Sequence, residues 1–215
     1  METRTNHLHP TSSLVDRYAE ASRYFMGQGN LNASLGQLAV DLKKHGIAYA
    51  VIGAVALFAH GYERVTENIN LLLTATGLEK FRKELLGRGG WGLCGYDQTD
   101  SCKRVRSYPY GVTIEIMTTG EYPGDGKPKP VSIPDPATAA VEIDGIRIVT
   151  FEKLIELKLA SGMTAPHRLK DLADVQELIK LRGLQAEFSE QLDPYVREKF
   201  LELYETVKQG PKDED

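Results

Sequence analysis

The sequence predicts an α/β fold of the α+β kind, a mixed sheet flanked by helices and followed by a helical C-terminal part. Three observations predict it. The apolar run from Ile47 to Ala59 is interrupted by Gly53, so it reads as a buried strand, a tight turn and a buried helix. A second strand pattern begins at Asn68, and beyond Thr150 the apolar spacing turns helical. The 215 residues suffice for a full-sized core. We divide them into an N-terminal extension at 1–30, a core domain at 31–150, a helical region at 151–209 and a mobile acidic tail at 210–215.

Composition narrows the class. With 41% hydrophobic and 26% charged residues the chain is an ordinary globular protein rather than a disordered or fibrous one. No apolar run is long enough for a bilayer-spanning helix and no secretory pattern opens the chain, so we expect a cytoplasmic address and no membrane partner. A net charge of −4 gives no global attraction for nucleic acid. The local basic group Lys103, Arg104 and Arg106 has Asp97 and Asp100 close by, the pattern of a solvated mixed-charge face. Cys94 and Cys102 have no histidine cluster near them and read as free thiols rather than a zinc site.

Taken in order, residues 1–13 are a loose polar leader and Leu14 to Met26 a short helix. Leu31, Leu35, Leu38 and Leu42 recur at helical spacing to His45, with Lys43 and Lys44 in the last turn and Gly46 as the stop. Ala48 to Ile52 is a strand, and Ala54 to His60 a short helix ended by Gly61. In the strand Asn68 to Thr74, alternation puts Asn68 and Asn70 on one face and Ile69 and Leu71 on the other. Thr76 with Glu79 forms a capping box for a helix to Leu86, terminated by 87–92.

Cys102 to Tyr108 and Val112 to Thr118 are the arms of a hairpin that displays Glu115 opposite the apolar Ile114 and Ile116. The proline- and glycine-rich stretch 119–136 is a loop carrying Lys127 and Lys129. Asp144-Gly145 turns a tight hairpin. Thr150 caps a helix from Phe151 to Gly162 with Leu154, Leu157 and Leu159 on its apolar surface. Pro166 opens a helix from His167 to Leu181, and Asp193-Pro194 opens one to Gln209.

The ordered set of strand, Gly53-Ala54, helix, His60-Gly61, Arg64, Thr66, Asn68-Ile-Asn70 and the later Glu115 resembles the nucleotidyltransferase superfamily, in particular bacterial abortive-infection toxin-type and minimal nucleotidyltransferases. The resemblance covers about 47–182, because Phe151 to Lys158 and Arg168 to Asp174 look like the family's next helices. It implies a nucleotidyltransferase-like mixed sheet. It also implies a catalytic and metal-binding group at Asn68, Asn70 and Glu115. The nucleotide would lie on Gly53, Ala54, Arg64, Thr66, Lys158, Lys170, Asp171 and Asp174. Such enzymes use an Asp-x-Asp pair and a third acid to hold Mg2+, which stabilises the attacking and leaving oxygens of the transfer.

Here two of the three acids are amides. An Asn keeps the shape of Asp without its charge, and a unit charge about 4 Å away is worth roughly 4 kcal/mol at an effective dielectric of about 20. Losing it twice drains metal affinity.

For several of these side chains the residues themselves leave two readings open. Glu115 is catalytic or a polar face residue, and Lys158 points into a cleft or lies along apolar surface with its ammonium in water. Lys170, Asp171 and Asp174 orient a nucleotide or pair along the helix, and His60 is a helix-end cation in preference to a catalyst.

The expected function is a nucleotidyltransferase-fold protein with a degenerate metal site that binds a nucleoside triphosphate, an RNA or a protein partner. The alternative is an active Mg2+-dependent toxin-like enzyme, with its Asp pair replaced by Asn or with Glu67 and Glu115 sharing the metal, that transfers a nucleoside monophosphate to RNA (tRNA), protein or a small acceptor. A third is a toxin–antitoxin partner module using the 151–208 helices, through Leu154, Leu157 and Leu181, as its interface.

Overall fold

A computed structural model describes residues 19–21, 23–24, 27–88, 90–94 and 103–210. The leader, most of the expected Leu14 to Met26 helix, Cys102 and the acidic tail lie outside the described residues, although 19–21 and 23–24 are helical. Among the described residues no helix is long and apolar enough to cross a membrane.

Helix α1, Asn30–Lys44, buries Leu31, Leu35, Leu38 and Leu42 and ends at His45, with Gly46 at φ +57°. Strand β1, Tyr49–Ile52, is buried at every position and runs directly into helix α2, Gly53–Ala59. Strand β2 is Asn68–Leu73 and helix α3 Ala75–Glu84. The cap of α3 is Thr74, whose hydroxyl accepts from the Gly77 amide, and Thr76 lies inside the helix, so the expected Thr76–Glu79 box is two residues too late. After α3 comes a strand that sequence reading takes for loop, β3 at Trp91–Leu93. Three residues with a central Gly92 carry too short an alternation to be recognised; Trp91 is buried and its indole donates to Asp41 at 2.7 Å.

Strands β4, Arg104–Ser107, and β5, Thr113–Thr118, form the expected hairpin, and β6, Ala140–Ile143, with β7, Ile146–Val149, form the second around Asp144 and Gly145, both at positive φ. The seven strands make one sheet in the order β3-β4-β5-β2-β1-β7-β6. β2 is antiparallel to β1 and parallel to β5, with Asn70 opposite Glu115 and Asn68 opposite Thr113. This mixed sheet is the predicted class.

Helix α4, Phe151–Thr164, is capped by Thr150 and buried on all sides from Leu154 to Gly162. A 3₁₀ turn, Pro166–Arg168, precedes helix α5, Leu169–Arg182, so the expected single helix from His167 begins with a tighter turn. Helix α6, Pro194–Gln209, starts where Asp193 accepts from the Tyr195 amide. α4 packs on α2, α5 and α6. Its contact with α5 is close: a Cβ on Gly162 would lie 2.5 Å from Leu172 Cγ. Leu154 and Leu157 are therefore internal core and only Leu181 of the proposed interface stripe is exposed, so the stripe faces inward.

Candidate active site

The cleft lies where the face of β2 and β5 that carries Asn70 and Glu115 meets α4 and the start of α5. Its volume of about 480 Å³ falls within the ~300–1,000 Å³ range of small-molecule sites. It gathers Gly53, Ala54, Arg64, Thr66, Asn68, Asn70, Glu115, Lys158, Lys170 and Asp171 from four separate parts of the sequence. Asp174 alone of the predicted set stands behind the wall.

Gly53 sits at φ +71°, and a Cβ there would lie 2.5 Å from Asn70 Oδ1. A glycine is required both by the backbone angle and by the close approach of the amide. Asn70 Nδ2 in turn donates to Glu115 Oε2 at 3.3 Å, across the parallel register pair. The orientation is chemically determined, because the opposite flip would set a carbonyl oxygen against a carboxylate. Arg104 Nε approaches the other Glu115 oxygen at 3.6 Å. Thr66 turns its hydroxyl onto the Asn68 backbone, at 3.3 Å from the amide nitrogen and 3.1 Å from the carbonyl oxygen, and fixes the entry to β2.

A second group stands where α4 crosses α5. Lys158 Nζ donates to Asp174 Oδ2 at 2.7 Å and Asp171 Oδ1 at 3.1 Å, and all three residues are nearly fully buried. Arg64 donates to Asp174 at 2.6 Å; Ser161 and Arg168 donate to Asp171 at 2.7 and 2.8 Å. Lys158 thus lines the cleft wall without lying along apolar surface and bridges the two aspartates from the neighbouring helix, while Asp171 also takes an i,i+3 pair from Arg168 on its own segment. Burial by itself would raise the Asp171 pKa, but Lys158, Ser161 and Arg168 together outweigh it and hold the carboxyl below its ordinary value. Lys170, by contrast, is exposed on the rim. Sequence reading passed over Ser161 as a site residue, and with it the opposite wall, where Glu121, Tyr122 and Pro123 lead to Gly124. Gly124, at φ +77°, packs against Ser161 and Thr164 so tightly that a side chain there would collide with both. The Pro123-Gly124 turn was the available signal.

His60 is the C-cap of α2, as expected of a helix-end residue, but burial disfavours its cationic form. Burial lowers its pKa, Nε2 lies 2.8 Å from the Val149 carbonyl, and its ring packs on Phe151. That carbonyl accepts from Nε2 and pulls the other way, but burial is the larger effect and favours the neutral ring. Below the ordinary histidine pKa of 6.5 the unfolded chain binds a proton that the folded one refuses, so this contribution to stability is present above that pH and declines as pH falls. We expect the urea midpoint to drop between about pH 7.5 and about pH 5.5, and less steeply in His60→Gln, which keeps an N–H donor but does not titrate. Parallel profiles for the two proteins would refute this assignment.

The donor set does not suit Mg2+. Asn68 and Asn70 offer neutral oxygens, and the one carboxylate, Glu115, already has Arg104 and the Asn70 amide beside it. Glu67 is exposed and does not line the cleft, so it does not complete a site. Among the described residues no three acids, histidines or cysteines stand close enough together to hold a metal ion.

No known family model matches the sequence, and no curated protein is similar enough to match. Solved structures are. ANT(2'')-Ia in complex with adenylyl-2''-tobramycin superposes with a TM-score of 0.52 at 13% identity, over 80% of this chain and 97% of that one. The solution structure of the antibiotic-resistance factor ANT(2'')-Ia superposes at 0.50 and 14% identity, over 80% and 92%. The fold is nucleotidyltransferase-like. An H. pylori protein provisionally described as a nucleotidyltransferase aligns at 18% identity over 92% of this chain and 95% of its own, at a TM-score of 0.41. At these identities the likeness is one of fold, and the nucleotidyltransferase-like sheet is what carries Asn70 and Glu115 side by side.

Proposed function

We propose that the cleft binds a nucleoside triphosphate, and that metal-dependent nucleotidyl transfer is weak or absent with Asn at positions 68 and 70. The contact between Asn70 Nδ2 and Glu115 carries this reading: an amide hydrogen occupies the place from which a carboxylate would help hold a cation. The roles of Gly53, Ala54, Arg64, Thr66, Lys158, Lys170, Asp171 and Asp174 are to shape and charge this cleft rather than to hold metal.

The second reading, an active Mg2+-dependent transferase whose Asp pair has been replaced, is favoured by one observation. The cleft keeps the bare Gly53 packed on Asn70 that an isosteric Asp would also need. In that case a small acceptor is supported by the ANT(2'')-Ia structure, which holds adenylyl-2''-tobramycin. RNA or a protein hydroxyl is the other acceptor class, and an antitoxin-type protein a possible partner of that enzyme.

The two readings separate in one experiment. Purified protein is incubated with labelled nucleoside triphosphate, Mg2+ or Mn2+ and candidate acceptors. Our reading predicts retention of nucleotide without label transfer. Transfer that disappears in Glu115→Ala would establish the active reading in its place.

A further inference from the structure

The charges around the cleft do more than fail to hold a metal. Four carboxylates stand at or just behind its walls, and each has a basic partner: Glu115 with Arg104, Glu121 with Lys103, Asp171 with Lys158 and Arg168, and Asp174 with Lys158 and Arg64. Among the described residues that line the cleft itself, Arg64, Lys158, Arg168 and Lys170 stand against Glu115, Glu121 and Asp171, which leaves one positive charge over. Of these, Lys170 lies exposed on the rim and has no carboxylate within ion-pair distance among the described residues. Aspartates at 68 and 70 would make the lining negative, and a divalent ion would then be welcome.

With asparagines the preference is reversed. A further dication meets an already positive cleft and no free anion to hold it, whereas a polyphosphate meets complementary charge. Two of the cations are also pre-aimed. Arg64 and Arg168 are part-exposed at 27% and 38%, yet each is tied at one edge to a buried aspartate, Asp174 or Asp171, so little side-chain freedom remains to be lost on binding. The rest of the cleft wall is apolar, formed by the part-exposed Met117 in front of the buried Ile133, Leu154 and Leu157, against which a nucleoside can lie.

We infer that this site takes its nucleotide as the metal-free polyphosphate anion, seated against Arg64, Arg168 and Lys170, and that Mg2+ weakens binding by masking the ligand's charge. The inference rests on the nucleotide-binding reading above and adds the ionic form of the ligand.

The test is calorimetric titration of the full chain with ATP, GTP, CTP and UTP, each in EDTA and again with excess Mg2+. We expect at least one of the four to bind in EDTA, with Kd at least about fivefold higher in Mg2+, because the metal removes two of the ligand's negative charges. Lys170→Gln, at an exposed position where folding is not at stake, is expected to weaken EDTA binding severalfold and to reduce its salt dependence. Tighter binding with Mg2+ than with EDTA would overturn this inference and leave nucleotide binding standing. No binding in either buffer would overturn both. An unchanged Kd in Lys170→Gln would remove the rim cation on which the charge excess depends, and the inference with it.

Discussion

Asp171→Ala is expected to cost about 3–5 kcal/mol of folding stability, the range for removing one partner of a buried ion pair. The reason is what remains behind. Asp171 is 2% exposed and accepts from Lys158, Ser161 and Arg168. Lys158 is 6% exposed, so it would keep only Asp174, which Arg64 already shares. For a domain of this size the loss corresponds to a fall in Tm of roughly 6–20 °C. The same operation on an exposed pair provides the scale. Lys199 contacts Glu202 on the surface of α6, and Glu202→Ala is expected to cost less than about 1 kcal/mol. Urea unfolding of both variants decides the matter, and equal costs would mean that the group at the α4–α5 crossing is solvated after all. Because Asp171 is held as a carboxylate below its ordinary pKa, its contribution is complete above the unfolded carboxylate range and disappears as pH falls through the lower folded value.

The second large effect is expected from Asn68→Asp combined with Asn70→Asp. Without metal the double variant should be less stable than the parent, since a carboxylate at 70 faces Glu115 across 3.3 Å where an amide hydrogen now bonds it. Adding millimolar Mg2+ should then restore and exceed that stability, by about 2.7 kcal/mol once the ion is at a hundredfold its Kd. The parent protein should respond little. Thermal melts of both proteins with and without Mg2+ measure this difference, and nucleotidyl transfer measured alongside tells whether the charges alone were missing. If Mg2+ moves the two melts equally, the Asn pair is not what keeps the ion out.

Much of the fold was legible because its signals are local. Strand, Gly53, helix and Asn-x-Asn strand follow one another within a few residues, and turn or cap chemistry at Asp144-Gly145, Thr150 and Asp193-Pro194 depends only on neighbours in the chain. The side-by-side display of Asn68 and Asn70 likewise follows from the two-residue period of a strand. β3 escaped because three residues around a glycine carry too little periodicity.

What the sequence by itself determined, then, was the order and type of most elements and the identity of the polar groups offered on β2 and β5. Tertiary structure alone decided who meets whom. The parallel register sets Glu115 against Asn70, 45 residues away; the Gly162–Leu172 contact brings α5 near enough for Lys158 to bridge Asp171 and Asp174; and the Val149 carbonyl that accepts from the buried His60 ring lies 89 residues away from it. Periodicity records which side of an element faces the interior, but charge state and ion pairing depend on burial and on partners distant along the chain, and these exist only once the sheet and helices have packed.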